Sequence, residues 1–335
     1  RQRLFAGGIA YIAIAYFFTY LISDMTFEER GGGVWSGKVT IYQFFAGLIY
    51  PGLSIALSHA LRTRSQSAWV VTFIAGVLPC VAIVFFGRRE EAALFAMTIG
   101  LTLFFQRRRV VPRVAILGAL VGATLLIPGT SQYRAAMNTG DYSRLEKFDF
   151  IDNFWQFLNK AQILELRNAA MIIEATEASG SFGFGSAYWD QMVFRFVPAQ
   201  IVGRDVKEGI MFHPPKRGVE LGILQSRYQR PMGTTLTGVG DSFHEFWYFG
   251  ALFFAILAVV FKSLWQASLQ RDAMFAQLLY IQTSTAAMRA VTHQTVDYLP
   301  GLTYYLLFIG GLVYFARAQR NDVASTRQPV QPRLV

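Results

Sequence analysis

The sequence predicts an all-α integral membrane protein, a polytopic helical bundle of at least eight transmembrane helices with a large extracytoplasmic loop domain. Three observations predict this class. Eight apolar stretches run along the 335 residues, 53% of the residues are hydrophobic, and only 16% are charged. Soluble domains carry about 25% charged residues, whereas a helix in a bilayer core must be apolar and must satisfy its own backbone hydrogen bonds.

The apolar stretches define the predicted spans, several of which approach the ~20 residues that cross a bilayer. In chain order they are Leu4–Ser23, Ile41–Leu61, Ala68–Phe86, Ala92–Phe105, Val114–Pro128, Phe243–Phe261, Ala273–Val291 and Leu299–Ala316. The fourth and fifth of these spans are short.

Lysine and arginine alternate between the two sides of these spans. With the N-terminus in the cytoplasm, 14 of them fall on the cytoplasmic side and 4 on the other side. The cytoplasmic set is Arg1, Arg3, Arg62, Arg64, Arg107, Arg108, Arg109, Arg113, Lys262, Arg271, Arg317, Arg320, Arg327 and Arg333, and the other set is Arg30, Lys38, Arg88 and Arg89. Cytoplasmic loops are rich in positive charge, so both ends of this chain are predicted to be cytoplasmic. The net charge of +10 is then a topology signal, and no basic stripe with interleaved aromatics indicates nucleic-acid binding.

The spans divide the chain into four predicted parts. Residues 1–128 form an N-terminal transmembrane bundle, 129–242 an extracytoplasmic loop domain, 243–318 a C-terminal transmembrane bundle and 319–335 a cytoplasmic tail. The loop domain is electrically balanced, with 12 Lys and Arg against 12 Asp and Glu. Periodic apolar residues predict two helices in it, an amphipathic one from about Phe150 to near Gly180 and a short one from about Ala187 to Val202.

Three titratable residues cluster where the chain is predicted to re-enter the membrane. If Asp241 opens the helix there, Asp241, His244 and Glu245 follow at i, i+3 and i+4 and share one helical face. Such groups at a bilayer boundary are costly unless they face a cavity or a partner, and a carboxylate or imidazole there can act as a general base. The alternative interpretation is an N-cap aspartate followed by polar anchors at the interface.

Arginines supply the second candidate set. Guanidinium groups bind phosphate oxygens through two parallel hydrogen bonds, so several that converge outside a membrane predict an anionic ligand such as a lipid-linked pyrophosphate. For any single arginine, ordinary ion pairing or snorkelling is the alternative. The candidate substrate-binding residues are Arg88, Arg89, Arg195, Arg204, Arg227 and Arg289. The sequence has no HExxH motif, no DxD-type metal pair and no Gly-rich phosphate loop after a strand, so we expect neither a metal nor a cofactor.

Three segments between roughly Arg64 and Ala316 carry a family resemblance. They are Gly87-Arg88-Arg89 with the later Gln106-Arg-Arg-Arg109, then Glu165-Leu-Arg167 through Phe194-Arg-Phe-Val-Pro198, and then Gly240-Asp241-Ser-Phe243 through Gly250. They resemble the "gsR" turn, the "R-F-V-P"-like stretch and the "G-E-x-Y-x-N-F-G-x-x-G" motif of bacterial O-antigen or oligosaccharide repeat-unit polymerases (Wzy type), and more distantly O-antigen ligases. The chain departs from the last motif, since Asp241, Glu245 and Trp247 stand where Glu, Asn and Gly are usual.

This resemblance implies a GT-C-like fold and a metal-independent glycosyl transfer at the outer face of the bacterial cytoplasmic (inner) membrane. The donor is expected to be a glycan on undecaprenyl pyrophosphate and the acceptor a lipid-linked oligosaccharide. Asp241 or His244 is the expected base, with Glu245 as its orienter; the ligase pattern favours His244, because it places a His-Asn pair at His244-Glu245. Arg88, Arg195 and Arg204 are the expected clamps. A chain-length regulator and a flippase are the expected protein partners.

Besides a non-catalytic scaffold role in an envelope assembly complex, two rival functions stay open on this sequence. One is an O-antigen ligase-like transferase with the same fold and another acceptor. The other is a transporter or flippase of lipid-linked glycans, which is expected to show paired repeats, broken helices and ionisable residues near the middle of the membrane. The titratable cluster lies instead at the predicted outer boundary, and one outer loop dominates, which favours an enzyme.

Overall fold

The computed structural model describes residues 2–26, 38–110, 112–126, 133, 155, 164–212, 237–270 and 273–325, and its regular structure in these residues is helical. The first six α-helices are α1 (Gln2–Ser23), α2 (Lys38–Ala46), α3 (Ile49–Thr63), α4 (Gln66–Phe86), α5 (Arg89–Arg107) and α6 (Arg113–Leu126). The others are α7 (Leu164–Ser179), α8 (Ser186–Phe196), α9 (Ala199–Val202), α10 (Arg204–Gly209), α11 (Gly238–Phe246), α12 (Gly250–Ser268), α13 (Met274–Thr292) and α14 (Tyr298–Ser325). Two 3₁₀ turns, Trp247–Phe249 and Thr295–Asp297, lead into α12 and α14.

Within the described residues, five helical stretches are long and apolar enough to cross a membrane, as expected of a helical membrane protein. They are Gln2–Ser23, Lys38–Thr63, Gln66–Phe86, Gly238–Ser268 and Thr295–Arg317. The remaining three predicted spans correspond to α5, α6 and α13. Helix α6 has 14 residues, fewer than the ~20 that cross a bilayer. Helix α13 carries buried glutamine, serine and threonine side chains, which lower its apolar character. The count of eight spans therefore stays a prediction.

Polar contacts between helix ends define two ends of the bundle. At the first, the basic end, Arg62 Nε donates to Gln106 Oε1, Gln106 Nε2 donates to Gln277 Oε1 at 3.2 Å, and the Arg108 guanidinium reaches the Leu269 carbonyl at 3.5 Å. The second, the loop end, comprises the start of α5, α11 and α14, the end of α13, and residues 164–212. Helices α3, α5, α12 and α14 therefore run towards the basic end, and α4 and α13 run towards the loop end.

The longest described part of the predicted loop domain, residues 164–212, lies at the loop end. The amphipathic helix predicted to finish near Gly180 is α7 in its described part, and Gly180 adopts the left-handed φ of 59° typical of a helix end. The predicted start near Phe150 lies outside the described residues. The second predicted helix corresponds to α8 and α9, which are separated at Val197 and Pro198.

Helices α1 and α3 pack closely where glycines meet. A Cβ atom added to Gly52 would lie 2.7 Å from Ile12 Cγ1 and 3.2 Å from the Gly8 carbonyl oxygen. Small residues allow helix backbones to approach in a membrane, where packing replaces the hydrophobic effect as the force between helices. Ala15 and Leu53 are buried beside this contact, so the crossing is part of the core.

Gly52→Ala is expected to destabilise the protein by about 1–3 kcal/mol, because the added methyl group overpacks the crossing of α1 and α3. Thermal unfolding of the purified protein in detergent measures the loss. Gly311→Ala is the control, since a Cβ at Gly311 in α14 meets no atom within 4 Å and alanine favours an exposed helix. Equal melting temperatures for the two variants would contradict the close packing.

Candidate functional site

Helix α11 carries the predicted titratable cluster, and it begins earlier than predicted. Its N-cap is Thr237, whose side-chain oxygen accepts a hydrogen bond from the Gly240 N–H at 3.3 Å. The helix therefore opens at Gly238 and not at Asp241, which lies one turn inside. The next apolar helix, α12, follows after the 3₁₀ turn Trp247–Phe249, where Trp247 has a φ of 54°.

Asp241 anchors the start of α14. Its Oδ2 accepts three hydrogen bonds, from Thr295 N at 2.9 Å, Thr295 Oγ1 at 2.7 Å and Val296 N at 3.2 Å. The side chain is 3% exposed. A buried carboxylate is stable when donors surround it, and here the donors are the first N–H groups of the 3₁₀ turn. Asp241 thus ties α11 to the α13–α14 connection.

His244 and Glu245 anchor α11 to two other segments. His244 Nδ1 lies 3.2 Å from Thr176 Oγ1 of α7. Thr176 Oγ1 also lies 2.7 Å from the Ile172 carbonyl, to which it donates, so Thr176 Oγ1 accepts the hydrogen bond from His244 Nδ1–H. Glu245 Oε2 accepts from the Gly185 N–H at 3.0 Å.

The turn before α8 fits closely around Glu245. Gly183 N–H donates to the His244 carbonyl at 3.0 Å, and Phe184 N–H donates to the Glu245 carbonyl at 2.8 Å. A Cβ atom on Gly183 would lie 2.4 Å from Glu245 Oε1 and 2.5 Å from Oε2. Only a glycine allows this carboxylate to occupy its place.

The three residues are therefore brought together on one helical turn, as predicted, and all three are buried. Each side chain contacts a different segment. Asp241 bonds to the start of α14, His244 contacts helix α7, and Glu245 bonds to the turn before α8. The arrangement holds the loop end together around α11. Their chemical role stays a prediction.

A tyrosine extends the Asp241 network. Tyr188 of α8 donates to Thr295 Oγ1 at 2.6 Å, and Thr295 Oγ1 donates to Asp241 Oδ2 at 2.7 Å. Burial raises the pKa of Tyr188 well above its usual range, and the nearby charge of Asp241 raises it further. Tyr188 is therefore a fixed proton donor in this network and links α8 to the α13–α14 connection.

The loop end also contains a cavity of about 440 Å³ between α2 and helices α8–α10. Its walls include Phe44 and Ile201, and its charged lining residues are Arg195, Arg204, Lys207 and Glu208. Asp241, His244 and Glu245 are not among its lining residues. Three cations face one carboxylate there, so the cavity is positively charged.

The cations of the cavity are held in different ways. The Arg195 guanidinium lies 5.4 Å from the centre of the Tyr304 ring, a cation–π contact that fixes the side chain. Arg204 pairs with Glu208 at 3.3 Å. Lys207 Nζ donates to the Phe194 carbonyl at 3.1 Å, and burial lowers the pKa of Lys207. The sequence did not single out Lys207, since a lysine in a polar loop carries no pattern of its own.

Arg289 belongs to a second charged cluster. Its Nε lies 3.0 Å from Glu90 Oε1, and its Nη2 lies 3.6 Å from Asp297 Oδ2. Gln191 Nε2 donates to Asp297 Oδ1 at 2.7 Å. Arg289 is not among the lining residues of the cavity.

The remaining predicted arginines do not join either group in the described residues. The guanidinium of Arg88 lies 6.0 Å from the ring of its neighbour Phe86. Arg89 is the first residue of α5, and its side chain lies outside the described part. Arg227 also lies outside the described residues. Of the six predicted arginines, Arg195 and Arg204 share a cavity.

No protein-family model, curated protein or solved structure matches this chain.

Proposed function

We propose that this protein is a membrane glycosyltransferase that polymerises undecaprenyl-pyrophosphate-linked repeat units at the outer face of the bacterial cytoplasmic membrane. The observation that carries the proposal is the cavity at the loop end. It combines aromatic and aliphatic walls, which suit an isoprenoid chain, with Arg195, Arg204 and Lys207, which suit a pyrophosphate. It also adjoins helices apolar enough to span a bilayer, so a lipid-linked substrate can enter from the membrane.

The charge distribution supports the orientation that the proposal requires. Arg62, Arg64, Arg107 and Arg108 lie at the basic end, and positive charge at helix ends is typical of the cytoplasmic side. The loop end, with the cavity, then faces outwards. In this topology the chain has eight spans, residues 129–242 are extracytoplasmic, and both ends are cytoplasmic.

The chemistry of the transfer suits these groups. An acceptor sugar hydroxyl attacks the anomeric carbon of the donor glycan and loses its proton to a base, while the bond to the pyrophosphate breaks and the pyrophosphate leaves with the electron pair. Arg195 and Arg204 stabilise the charge that develops on the leaving group. Of the three residues on α11, we assign the base to His244, because the carboxylates of Asp241 and Glu245 already accept hydrogen bonds from backbone N–H groups. Asp241 and Glu245 then act as positioning residues for α11.

Arg195→Ala is expected to weaken the binding of undecaprenyl pyrophosphate and to lower glycan transfer about 100-fold, the usual effect of removing one donor to a developing anion. Binding is measured on purified protein in nanodiscs. The matched control is Arg167→Ala, since Arg167 is exposed on α7 and does not line the cavity. Equal losses in both variants, or none in Arg195→Ala, would contradict a cavity that binds the pyrophosphate.

Product analysis distinguishes polymerase from ligase. Purified protein is incubated with lipid-linked repeat units as the sole substrate. A ladder of longer lipid-linked glycans is expected from a polymerase. If product appears only after a second class of acceptor is added, the ligase-like alternative is correct, and if no glycan is transferred at all, the enzyme proposal fails.

A further inference from the structure

A line of polar side chains runs through the interior of the bundle where α3, α5 and α13 meet. At its loop end, Tyr50 donates to Glu91. One step further in, Gln282 Nε2 donates to the Tyr50 carbonyl at 3.2 Å and to Ser54 Oγ at 3.1 Å. At the basic end, Gln106 meets Gln277. We call this line of side chains between α3, α5 and α13 the polar seam.

The polar seam has a gap in its middle. Ser58 Oγ, Thr98 Oγ1 and Gln282 Oε1 are buried and have no hydrogen-bond partner among the described residues. The three residues are at most 1% exposed. Their neighbours behave differently: Thr102 Oγ1 donates to the Thr98 carbonyl at 2.6 Å, and Thr283 Oγ1 donates to the Leu279 carbonyl at 2.7 Å. The gap is therefore a local feature of the seam.

Ser58 and Thr98 lie at the same depth in the bundle. Helices α3 and α5 run in the same direction, and the bond between Tyr50 and Glu91 aligns their starts. Ser58 follows Tyr50 by two helical turns, about 12 Å, and Thr98 follows Glu91 by about 10.5 Å. Ser58 and Thr98 therefore lie at about the same level along the two helices, and both are buried.

The Gln282 amide is held by α3 one turn before Ser58. Its Nε2 must face α3, because the Tyr50 carbonyl is an acceptor and can bond only to the NH₂ group. The same nitrogen bonds to Ser54 Oγ, and Ser54 and Ser58 are one turn apart on the same face of α3. The unpartnered amide oxygen of Gln282 is therefore close to the turn of α3 that carries Ser54 and Ser58.

We propose that the gap is a binding site for ordered water between α3, α5 and α13, with Ser58, Thr98 and Gln282 as ligands. A buried polar group without a partner costs about 1–3 kcal/mol, and the lipid around the bundle offers no alternative partner. Two hydroxyls and an amide oxygen provide the two to four polar contacts that a buried water requires. The water donates to Gln282 Oε1 and completes the polar seam from Glu91 to Gln106.

Thermal unfolding of the full chain in detergent tests the site, because a bound water and an unpartnered hydroxyl predict opposite signs. Thr98→Val keeps the shape of the side chain and removes the hydroxyl. With water bound, the variant is expected to melt about 3 °C or more below the wild type. Ser58→Ala is expected to act in the same direction, and the double variant is expected to lose less than the sum because both hydroxyls share the water.

Two controls separate the hydroxyl from packing. Thr98→Ser retains the hydroxyl and is expected to melt above Thr98→Val. Thr283→Val removes a buried hydroxyl on α13 that already bonds within its own helix, and a small change is expected. A higher melting temperature for Thr98→Val than for the wild type, or equal losses for Thr98→Ser and Thr98→Val, overturns the water site.

Discussion

Asp241→Ala is expected to destabilise the protein by about 3 kcal/mol or more, because it leaves two buried backbone N–H groups of the Thr295–Asp297 turn without their acceptor. The Thr295 hydroxyl loses the same acceptor. Since the turn starts α14, the loss spreads to the contact between α11 and the end of α13. The yield of monodisperse protein and the melting temperature in detergent measure the effect.

Two further variants separate this effect from a loss of charge. Asp241→Asn is expected to lose less stability than Asp241→Ala, because the amide oxygen can still accept hydrogen bonds from Thr295 and Val296. Asp205→Ala is the control, since Asp205 is an exposed aspartate of α10 at the same end of the bundle. If Asp241→Ala melted like Asp205→Ala, the three hydrogen bonds at Oδ2 would not support the start of α14.

Gly183→Ala is expected to have the second largest effect, a loss of about 2 kcal/mol or more together with lower transfer activity. The new methyl group would overlap both oxygens of Glu245, so either the turn before α8 or the buried carboxylate must move. Gly209→Ala is the matched control, because a Cβ at Gly209 meets no atom within 4 Å. Melting temperatures and glycan transfer are compared for both variants.

A double-mutant cycle identifies the cause of that loss. Glu245→Ala removes the carboxylate that the Gly183→Ala methyl group would strike. In the combined variant, Gly183→Ala is expected to cost much less than in the wild-type background, because residues in contact are not additive. Additive losses would place the strain in the backbone of the turn and not at Glu245.

The spans and the buried cluster on α11 could be predicted because both depend on local pattern. A run of apolar residues predicts a helix in lipid, and residues at i, i+3 and i+4 share a face whatever lies opposite. The start of α11 at Gly238 could not be predicted from the local pattern. A Cβ at Gly238 would lie 1.8 Å from the Ala290 carbonyl oxygen, so this glycine serves a close helix contact, which no local pattern reveals.

The partners within the site could not be predicted, because they are distant in sequence. Asp241 bonds to Thr295, Glu91 bonds to Tyr50, and Arg195 packs on Tyr304. Each pair depends on which helices are neighbours in the bundle, and neither composition nor periodicity predicts which helices pack together. The sequence pattern favours a catalytic interpretation of Asp241 over a structural one. The observed hydrogen bonds show that this carboxylate binds the start of α14.

The hydrogen bonds that hold α11 in place affect how mutations in this helix must be interpreted. Its anchors reach three separate stretches of polypeptide, so truncating any one of them is expected to loosen the whole loop end. An alanine scan would then report all three side chains as indispensable, whether or not one of them is the proposed base. Isosteric replacements, compared on correctly folded samples, separate the proposed chemical role of a side chain from its structural role.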